Sequence, residues 1–342
     1  MAGKRVGKST VAFARPPVVV AAGSVVGPME GKGPLGSEFD VVKSDNVLGE
    51  GSFEKAEASL LREACEIAAY KAQVPMSRVD FLLAGDLLNQ LISANFVARD
   101  LGVPFFGLFG ACSTLVEALI LGAMAIDGGF ASRVLAACSS HHEAAERQYR
   151  FPVEFATQRP PTAQWTVTGA GAALLAESGQ GPVITHATVG SVVDMGLKSP
   201  NDMGSAMAPA AAETIWRHLQ DLGREPRYYD LIATGDLASL GKEVAEDLLR
   251  RVGVDVSGVY DDCGRMIYSP GQDAHAGGSG GGCQAAVFCG PLVKRLKAGE
   301  LRRVLLVGTG ALFSPTSCQQ GQTIPAVAHA VALEGPGRGG EG

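Results

Sequence analysis

The chain of 342 residues has few charged side chains and no cluster of basic ones. Asp, Glu, Lys and Arg make up 19% of it, and the formal net charge is −6. A protein that binds nucleic acid usually carries a basic stripe or patch on its surface. We therefore expect no nucleic acid partner.

The chain also lacks paired cysteine spacings and long apolar runs. Its seven cysteines are an odd number scattered along the sequence, which favours free thiols in a reducing compartment over a disulfide framework. No apolar run approaches the ~18 residues of a membrane span. The apolar run 18–22, after the basic N-terminus, is too short for a signal peptide. The expectation is a soluble, intracellular chain.

Short apolar segments alternate with helical patterns along most of the sequence. Residues 81–83 and 304–307 are uninterrupted apolar runs, as expected of strands that are covered on both faces. Residues 54–70 and 210–222 have apolar residues near every third or fourth position, which is typical of helices. This alternation predicts an α/β fold.

The two parts of the chain resemble each other. The segment VDFLLAGDL (79–87) is similar to YDLIATGDL (229–237), and RVLAACS (133–139) is similar to RVLLVGT (303–309). Helical stretches at 114–127 and 284–297 lie in the same order in each part, which chance similarity would rarely give. We predict two pseudo-equivalent halves, 1–180 and 181–334, followed by a disordered apolar-poor tail, 335–342.

The segment FFGLFGACSTLVEAL (105–119) predicts a strand, a tight turn and a helix that begins near Cys112. The free N–H groups and the positive dipole end of a helix start favour a thiolate or a bound anion. The same arrangement therefore suits a nucleophilic cysteine in acyl transfer or a pocket for an anionic ligand.

Six sequence blocks carry a family resemblance. They are GLFGACST (107–114), SSHHEAAERQ (139–148), RPPT (159–162), TVTGAGAA (166–173), DCG (262–264) and QDAHAGGSG (272–280). With these blocks, over about residues 5–333, the chain resembles the thiolase-like superfamily and, within it, the stage V sporulation protein AD family of endospore-forming bacteria.

The resemblance implies a fold and a function. The fold would be a duplicated five-layer αβαβα arrangement with two pseudo-equivalent halves. The protein would bind dipicolinic acid (pyridine-2,6-dicarboxylate) and aid its uptake as the calcium salt into the developing spore. It would lie on the inner spore membrane beside membrane-embedded partners of the same uptake complex, and would form a homodimer through the strand leading from the nucleophile region.

Condensing enzymes of this superfamily need a histidine and an asparagine that this chain lacks. In the run DLIATGDLA (230–238), Gly235 stands at the histidine position, and the glycine-rich turn GGSGGGCQAA (277–286) has no asparagine. The loss of a base or of an oxyanion donor typically costs ~10²–10³ in rate. The resemblance thus implies a non-enzyme with a vestigial nucleophile, Cys112. A ketoacyl-synthase-like acyltransferase that uses Cys112, with His275 as its base, and a scaffold with an unused pocket remain the alternatives.

A dicarboxylate pocket needs N–H donors and small residues. Few arginines are placed to help, which favours backbone donors over ion pairs. The predicted ligand-binding residues are Asp86, Cys112, Ser113, His275, Gly278, Gly308 and Thr309. No metal site or cofactor is expected, apart from calcium entering together with dipicolinate.

Several predicted site residues have more than one interpretation. Asp86 and Asp236 occupy equivalent places in the two halves and could bind calcium, accept a hydrogen bond from the pyridine or cap helices. Asp86 is favoured as a ligand because it lies in the same half as Cys112. His275 could act as a base, orient a carboxylate or pack in the core. The pair His141 and His142 is interpreted as a polar turn rather than a metal site, because adjacent strand residues point apart.

Overall fold

The computed structural model describes residues 4–336. The strands in this range are β1 (Thr10–Ala12), β2 (Val18–Val26), β3 (Val41–Val42), β4 (Phe81–Gly85), β5 (Phe105–Gly107), β6 (Arg133–Ser140), β7 (Trp165–Thr166), β8 (Gly169–Ala176), β9 (Val183–Val189), β10 (Leu231–Thr234), β11 (Tyr260–Asp262), β12 (Gly278–Ser279), β13 (Arg303–Ala311) and β14 (Ala326–Glu334). The α-helices in this range are α1 (Pro28–Gly31), α2 (Phe53–Ala72), α3 (Ile92–Leu101), α4 (Thr114–Gly128), α5 (His142–Tyr149), α6 (Met203–Leu222), α7 (Ala238–Arg251), α8 (Cys263–Ile267), α9 (Gly281–Val287), α10 (Val293–Ala298) and α11 (Pro315–Gln319).

The strand order is the same in the two halves. The first half has the order β5-β4-β6-β8-β2, and the second has β11-β10-β13-β14-β9. In each half the three strands farthest from the junction pair in parallel, and the remaining pairs are antiparallel. The halves meet where Val18 of β2 pairs with Val183 of β9. The predicted α/β fold with duplicated architecture is therefore confirmed.

Alternate residues of the strands face different helix layers. In β6, Val134 and Ala136 pack in the same cluster as α4, whereas Leu135 and Ala137 pack with α2. In β13, Val304 and Leu306 join the α4 cluster, whereas Leu305 and Val307 join the α6 cluster. Because strand side chains alternate between faces, α4 lies between the two sheets and α2 and α6 cover their outer faces. This is the predicted αβαβα layering.

The central position of α4 explains its composition. The stretch Ala111–Gly128 is long and apolar enough to cross a membrane, with a mean hydropathy of 1.5, yet 61% of it is buried inside the fold. Glu117 and Asp127 interrupt this segment, so it is not a continuous apolar run of the kind that the sequence analysis looked for. A helix between two sheets is apolar all round for the same reason that a membrane span is.

The second half departs from the predicted continuous helix at 284–297. Helices α9 and α10 are joined by a π-helical turn, Phe288–Leu292, that contains Pro291. Proline lacks the N–H of a regular helix and clashes with the carbonyl four residues earlier, so the chain widens to a π-turn there. Residues 337–342 of the predicted disordered tail lie outside the described residues, and the predicted boundary between the halves stays a prediction.

Candidate functional site

Cys112 lies in the turn between β5 and α4. A 3₁₀ turn, Ala111–Ser113, precedes the helix, and Ala111 has a positive φ of 53°. Non-glycine residues adopt this left-handed region rarely and usually where the surroundings impose it. The side chain of Cys112 is half-buried and its thiol is free. The predicted strand, turn and helix with a cysteine at its start are present.

A carboxyl group faces this thiol. Asp236 follows β10 in the second half, and its Oδ1 accepts a hydrogen bond from Thr309 Oγ1 at 2.5 Å while its Oδ2 accepts one from Gly280 N at 3.3 Å. Burial raises the pKa of Asp236 to about 7, and a hydrogen bond with Cys112 opposes that rise. Burial, followed by the charge of Asp236, holds the pKa of the Cys112 thiol well above its usual 9.0. At neutral pH the site therefore holds a thiol and not a thiolate.

The place expected for a catalytic histidine is filled. A Cβ on Gly235 would lie 3.2 Å from Cδ and 3.3 Å from Nε2 of Gln284. Gln284 is fully buried and is fixed there by donating from Nε2 to Val307 O at 2.9 Å. Position 235 thus has no room for an imidazole unless Gln284 moves.

Two cavities share Arg150 as a lining residue, and Cys112 lines one of them. The smaller has a volume of about 50 Å³. Its lining residues are Leu87, Ala111, Cys112, Ala145, Tyr149, Arg150, Thr166, Met203, Ser279, Gly280, Ala311 and Phe313. The larger has a volume of about 200 Å³ and is lined by His142, Glu146, Arg150, residues 151–153, residues 156–159, Trp165 and Asn201. We call them the thiol cavity and the arginine cavity, and Arg150 belongs to both.

The arginine cavity changes one expectation about the ligand donors. Two arginines, Arg150 and Arg159, line it, whereas the sequence analysis expected few arginines to help. Conversely, two of the backbone donors expected from the glycine-rich turn are already used, since Gly280 N donates to Asp236 and Gly282 N donates to Ser140 Oγ at 3.0 Å. Charged side chains, rather than free N–H groups of that turn, are what the site offers to an anion.

Of the predicted ligand-binding residues, only Cys112 lines the thiol cavity. Thr309 donates a hydrogen bond to Asp236, the carboxyl group that faces the Cys112 thiol. Ser113 Oγ donates to Gly110 O at 2.7 Å and to Glu117 Oε1 at 2.8 Å. Gly278 is in β12 beside the turn, and a Cβ on Gly308 would lie 2.8 Å from Val116.

Asp86 and His275 also line neither cavity. The carboxylate of Asp86 accepts hydrogen bonds from Leu88 N and Ala94 N, both at 2.8 Å, so it caps the turn into α3. Burial raises its pKa to about 6. His275 is partly exposed, with its nearest carboxylate, that of Asp273, 4.0 Å away. The preference for Asp86 over Asp236 rested on sequence position, but Asp236 is the one at the thiol.

The adjacent histidines have separate roles. His141 Nε2 donates to Asn46 O at 2.8 Å. The ring of His142 stacks on Trp165, with 3.8 Å between ring centroids and an angle of 2° between the planes. No group of three or more His, Cys, Asp or Glu side chains is placed to hold a metal within residues 4–336.

The sequence analysis missed the side chains that line the cavities from α5 and the loop after it. Tyr149 and Arg150 come directly after the block 139–148 on which the resemblance rests, and Arg159 begins the block RPPT. A search for arginines in or directly beside those blocks would have found Arg150 and Arg159.

Comparisons with known proteins identify relatives of this chain. The family described as stage V sporulation protein AD matches residues 7–334. The stage V sporulation protein AD of Bacillus subtilis (strain 168) is 48% identical over 334 residues, which is 98% of this chain and 99% of that protein.

Solved structures of condensing enzymes share the fold. The 3-oxoacyl-[acyl-carrier-protein] synthase III of Aquifex aeolicus VF5 matches with a TM-score of 0.57 and 13% identity, over 93% of this chain and 99% of its own. The tetronic acid condensing enzyme AbyA1 matches with a TM-score of 0.60 and 19% identity, over 92% of this chain and 99% of its own. A variant of OleA of Xanthomonas campestris matches with a TM-score of 0.61 and 15% identity, over 94% of this chain and 99% of its own. The fold is thus thiolase-like, and by sequence the chain belongs to the stage V sporulation protein AD family.

Proposed function

We propose that this protein is a non-catalytic binder of dipicolinic acid that aids its uptake, as the calcium salt, into the developing spore. Membership of a sporulation family supports the setting. The observation that carries the binding role is the thiol cavity, in which Tyr149, Phe313 and Arg150 lie around Cys112, together with the arginine cavity that shares Arg150. A planar dicarboxylate needs both kinds of surface.

The proposal of a non-enzyme is supported by the groups around the thiol. Condensing chemistry needs a thiolate and a base within hydrogen-bond reach. Here burial and Asp236 raise the pKa of the Cys112 thiol, and Gln284 fills the space beside Gly235. The acyltransferase alternative keeps one supporting observation, the half-buried thiol at a cavity of a condensing-enzyme fold. A stable acyl adduct on Cys112 after incubation with acyl thioesters would favour it.

The binding role is tested by filling the thiol cavity. Ala145 lines that cavity and is 3% exposed, so Ala145→Leu puts a side chain where the ligand would lie. We expect calorimetry to show saturable binding of dipicolinate to the wild-type protein and at least about tenfold weaker binding to Ala145→Leu. Ala72→Leu, at the end of α2 and away from both cavities, should bind as the wild type does. Titrations with and without calcium decide whether the metal enters with the ligand. Absence of binding to the wild type would overturn the proposal.

The homodimer is part of the same proposal. Strand β5 is the edge of the sheet in the first half, and an unpaired edge can pair with another strand. Phe106 of β5 is 56% exposed, and Leu121 and Met124 of α4 are also exposed. An apolar helix face next to an open strand edge fits a second copy of this chain.

Membrane partners complete the proposal. We propose that the protein lies on the inner spore membrane beside other proteins of an uptake complex, and its membership of a sporulation family supports the spore as the setting. Fractionation of sporulating cells tests this: the protein should pellet with forespore membranes and be released by high salt or alkali, as peripheral proteins are. Recovery in the soluble fraction alone would contradict it.

A further inference from the structure

Arg159 has a buried guanidinium nitrogen without a partner. Its Nη2 donates to Gln164 O, whereas its Nη1 is buried and makes no hydrogen bond to any residue of the described range 4–336. No carboxylate of that range lies within 4.0 Å of it. Leaving a guanidinium largely out of water and unpaired is unfavourable. The free energy is recovered if an anion binds there.

The neighbours of Arg159 hold it in place without neutralising it. Its guanidinium lies over the ring of Trp165, with 4.9 Å from Cζ to the ring centroid. Pro160 and Pro161 follow it and restrict its backbone. An arginine that is already ordered loses little conformational entropy when it binds a carboxylate.

The other charged groups of the arginine cavity compensate each other. Arg150 Nη1 donates to Glu146 Oε1 at 2.5 Å, and Arg150 Nε donates to Pro200 O at 3.2 Å. Burial, followed by the charge of Arg159, lowers the pKa of His142 to about 3, so this imidazole is neutral at pH 7. Arg159 therefore provides the uncompensated positive charge of the cavity.

The sizes of the cavities favour a ligand that extends across both. Sites for small organic ligands usually have ~300–1,000 Å³, and the thiol cavity has only about 50 Å³. A planar ligand that starts beside Cys112 must therefore reach past Arg150 into the arginine cavity, where Phe151 provides an apolar ring.

We propose that Arg159 binds the second carboxylate of the dicarboxylate ligand in the arginine cavity, while the rest of the ring lies towards Cys112. This inference rests on the proposed function, because it assumes that dipicolinate is the ligand. The planar fork of a guanidinium matches a carboxylate with two parallel hydrogen bonds. Arg159 thus selects ligands with two carboxylates over ligands with one.

The test compares the affinities of the wild type and of Arg159→Gln for two ligands, dipicolinate and picolinate. Dipicolinate has two carboxylates and picolinate (pyridine-2-carboxylate) has one, so removing Arg159 should matter only for the first. We expect Arg159→Gln to weaken dipicolinate binding by about 10- to 100-fold and to change picolinate binding by less than about threefold. Arg159→Lys, which keeps a point charge, should give an intermediate affinity for dipicolinate.

The matched control is Arg99→Gln. Arg99 also lies over an aromatic ring, that of Phe96 at 4.8 Å, but it lines neither cavity, so both ligands should bind this variant as they bind the wild type. If the wild type does not bind dipicolinate, the proposed function fails. If the wild type binds dipicolinate, two outcomes overturn only the role of Arg159. In the first, both Arg159 variants bind dipicolinate as tightly as the wild type does. In the second, both variants lose affinity for dipicolinate and picolinate by the same factor. Melting temperatures show whether Arg159→Gln is folded. If Arg159→Gln is unfolded, the dipicolinate affinity of Arg159→Lys tests the role of Arg159 instead.

Discussion

Asp236 determines the chemical state of the thiol at Cys112. The two residues come from opposite halves, and the carboxyl group raises the pKa of a thiol that burial already raises. In a condensing enzyme the neighbour of the thiol lowers its pKa or removes its proton. The carboxyl group of Asp236 therefore helps to keep the Cys112 thiol protonated at neutral pH.

Removing that charge should make the thiol more reactive. We expect Asp236→Asn to raise the rate of Cys112 alkylation by iodoacetamide at pH 8.5 by about tenfold, because one pKa unit changes the thiolate fraction about tenfold. Mass spectrometry of the modified peptides measures it, with the partly exposed Cys318 as internal reference. Asp86→Asn, a buried carboxyl with two backbone hydrogen bonds, is the control. An unchanged ratio of Cys112 to Cys318 labelling would contradict the role of Asp236.

A second buried acid, Glu30, makes the stability depend on pH. Its Oε1 accepts from Thr168 N at 3.0 Å, whereas its Oε2 and Asn46 Oδ1 are both buried without donors. Both oxygens lie within 3.0 Å of the point where a Cβ on Gly27 would stand. Burial raises the pKa of Glu30 from 4.5 to about 7. Its contribution is therefore most favourable below about pH 4.5 and is lost as the pH rises through about 7.

We expect Glu30→Gln to be more stable than the wild type at pH 8, by roughly 3 kcal/mol, since the amide is neutral and can donate to Asn46. The difference should vanish near pH 4.5. Urea unfolding at several pH values measures it. His142 and His218, whose pKa values burial lowers to about 3, have the opposite pH dependence, which cancels in the difference. The exposed Glu177→Gln is the control, and a difference that does not vary with pH would refute the role of Glu30.

At the scale of elements, the sequence predicts where strands and helices lie better than it predicts irregular turns within a helix. The strands β4 and β13 follow from the apolar runs 81–83 and 304–307, because strands covered on both faces need such runs. The π-turn at Pro291 could have been suspected, since proline within a helical pattern is itself the signal. The contact of Asp236 with Cys112 could not be predicted, because it depends on how the two halves pack and not on any local pattern.

The close packing of α9 on β8 depends on Gly171. A Cβ at this position would lie 2.0 Å from the backbone oxygen of Ala285 in α9. We expect Gly171→Ala to lower the free energy of unfolding by about 1–3 kcal/mol through overpacking, measured by urea unfolding. Gly271→Ala is the matched control, because nothing lies within 4 Å of its added Cβ. Equal stability of the two variants would show that α9 can shift at no cost.

At the scale of the whole molecule, the open edge at β5 predicts self-association. We expect Phe106→Asp to convert a dimer into a monomer in sedimentation velocity, because it puts a charge on an apolar surface that two copies would bury. Tyr70→Asp, at an aromatic residue of α2 that is 85% exposed, should leave the dimer intact. A wild type that sediments as a monomer would rule out the β5 interface.

The duplicated fold also means that neither half contains the site. Cys112 and Tyr149 belong to the first half, and Gly280 and Phe313 belong to the second. The predicted boundary between the halves, 180/181, lies in the turn between β8 and β9, of which residues 177–180 are exposed. Cutting the chain in this turn would yield two fragments. Each fragment would carry only some of the residues that line the thiol cavity, so neither would form the cavity alone. Such a pair is a natural split reporter, in which recovery of ligand binding signals that the fragments have met and refolded together.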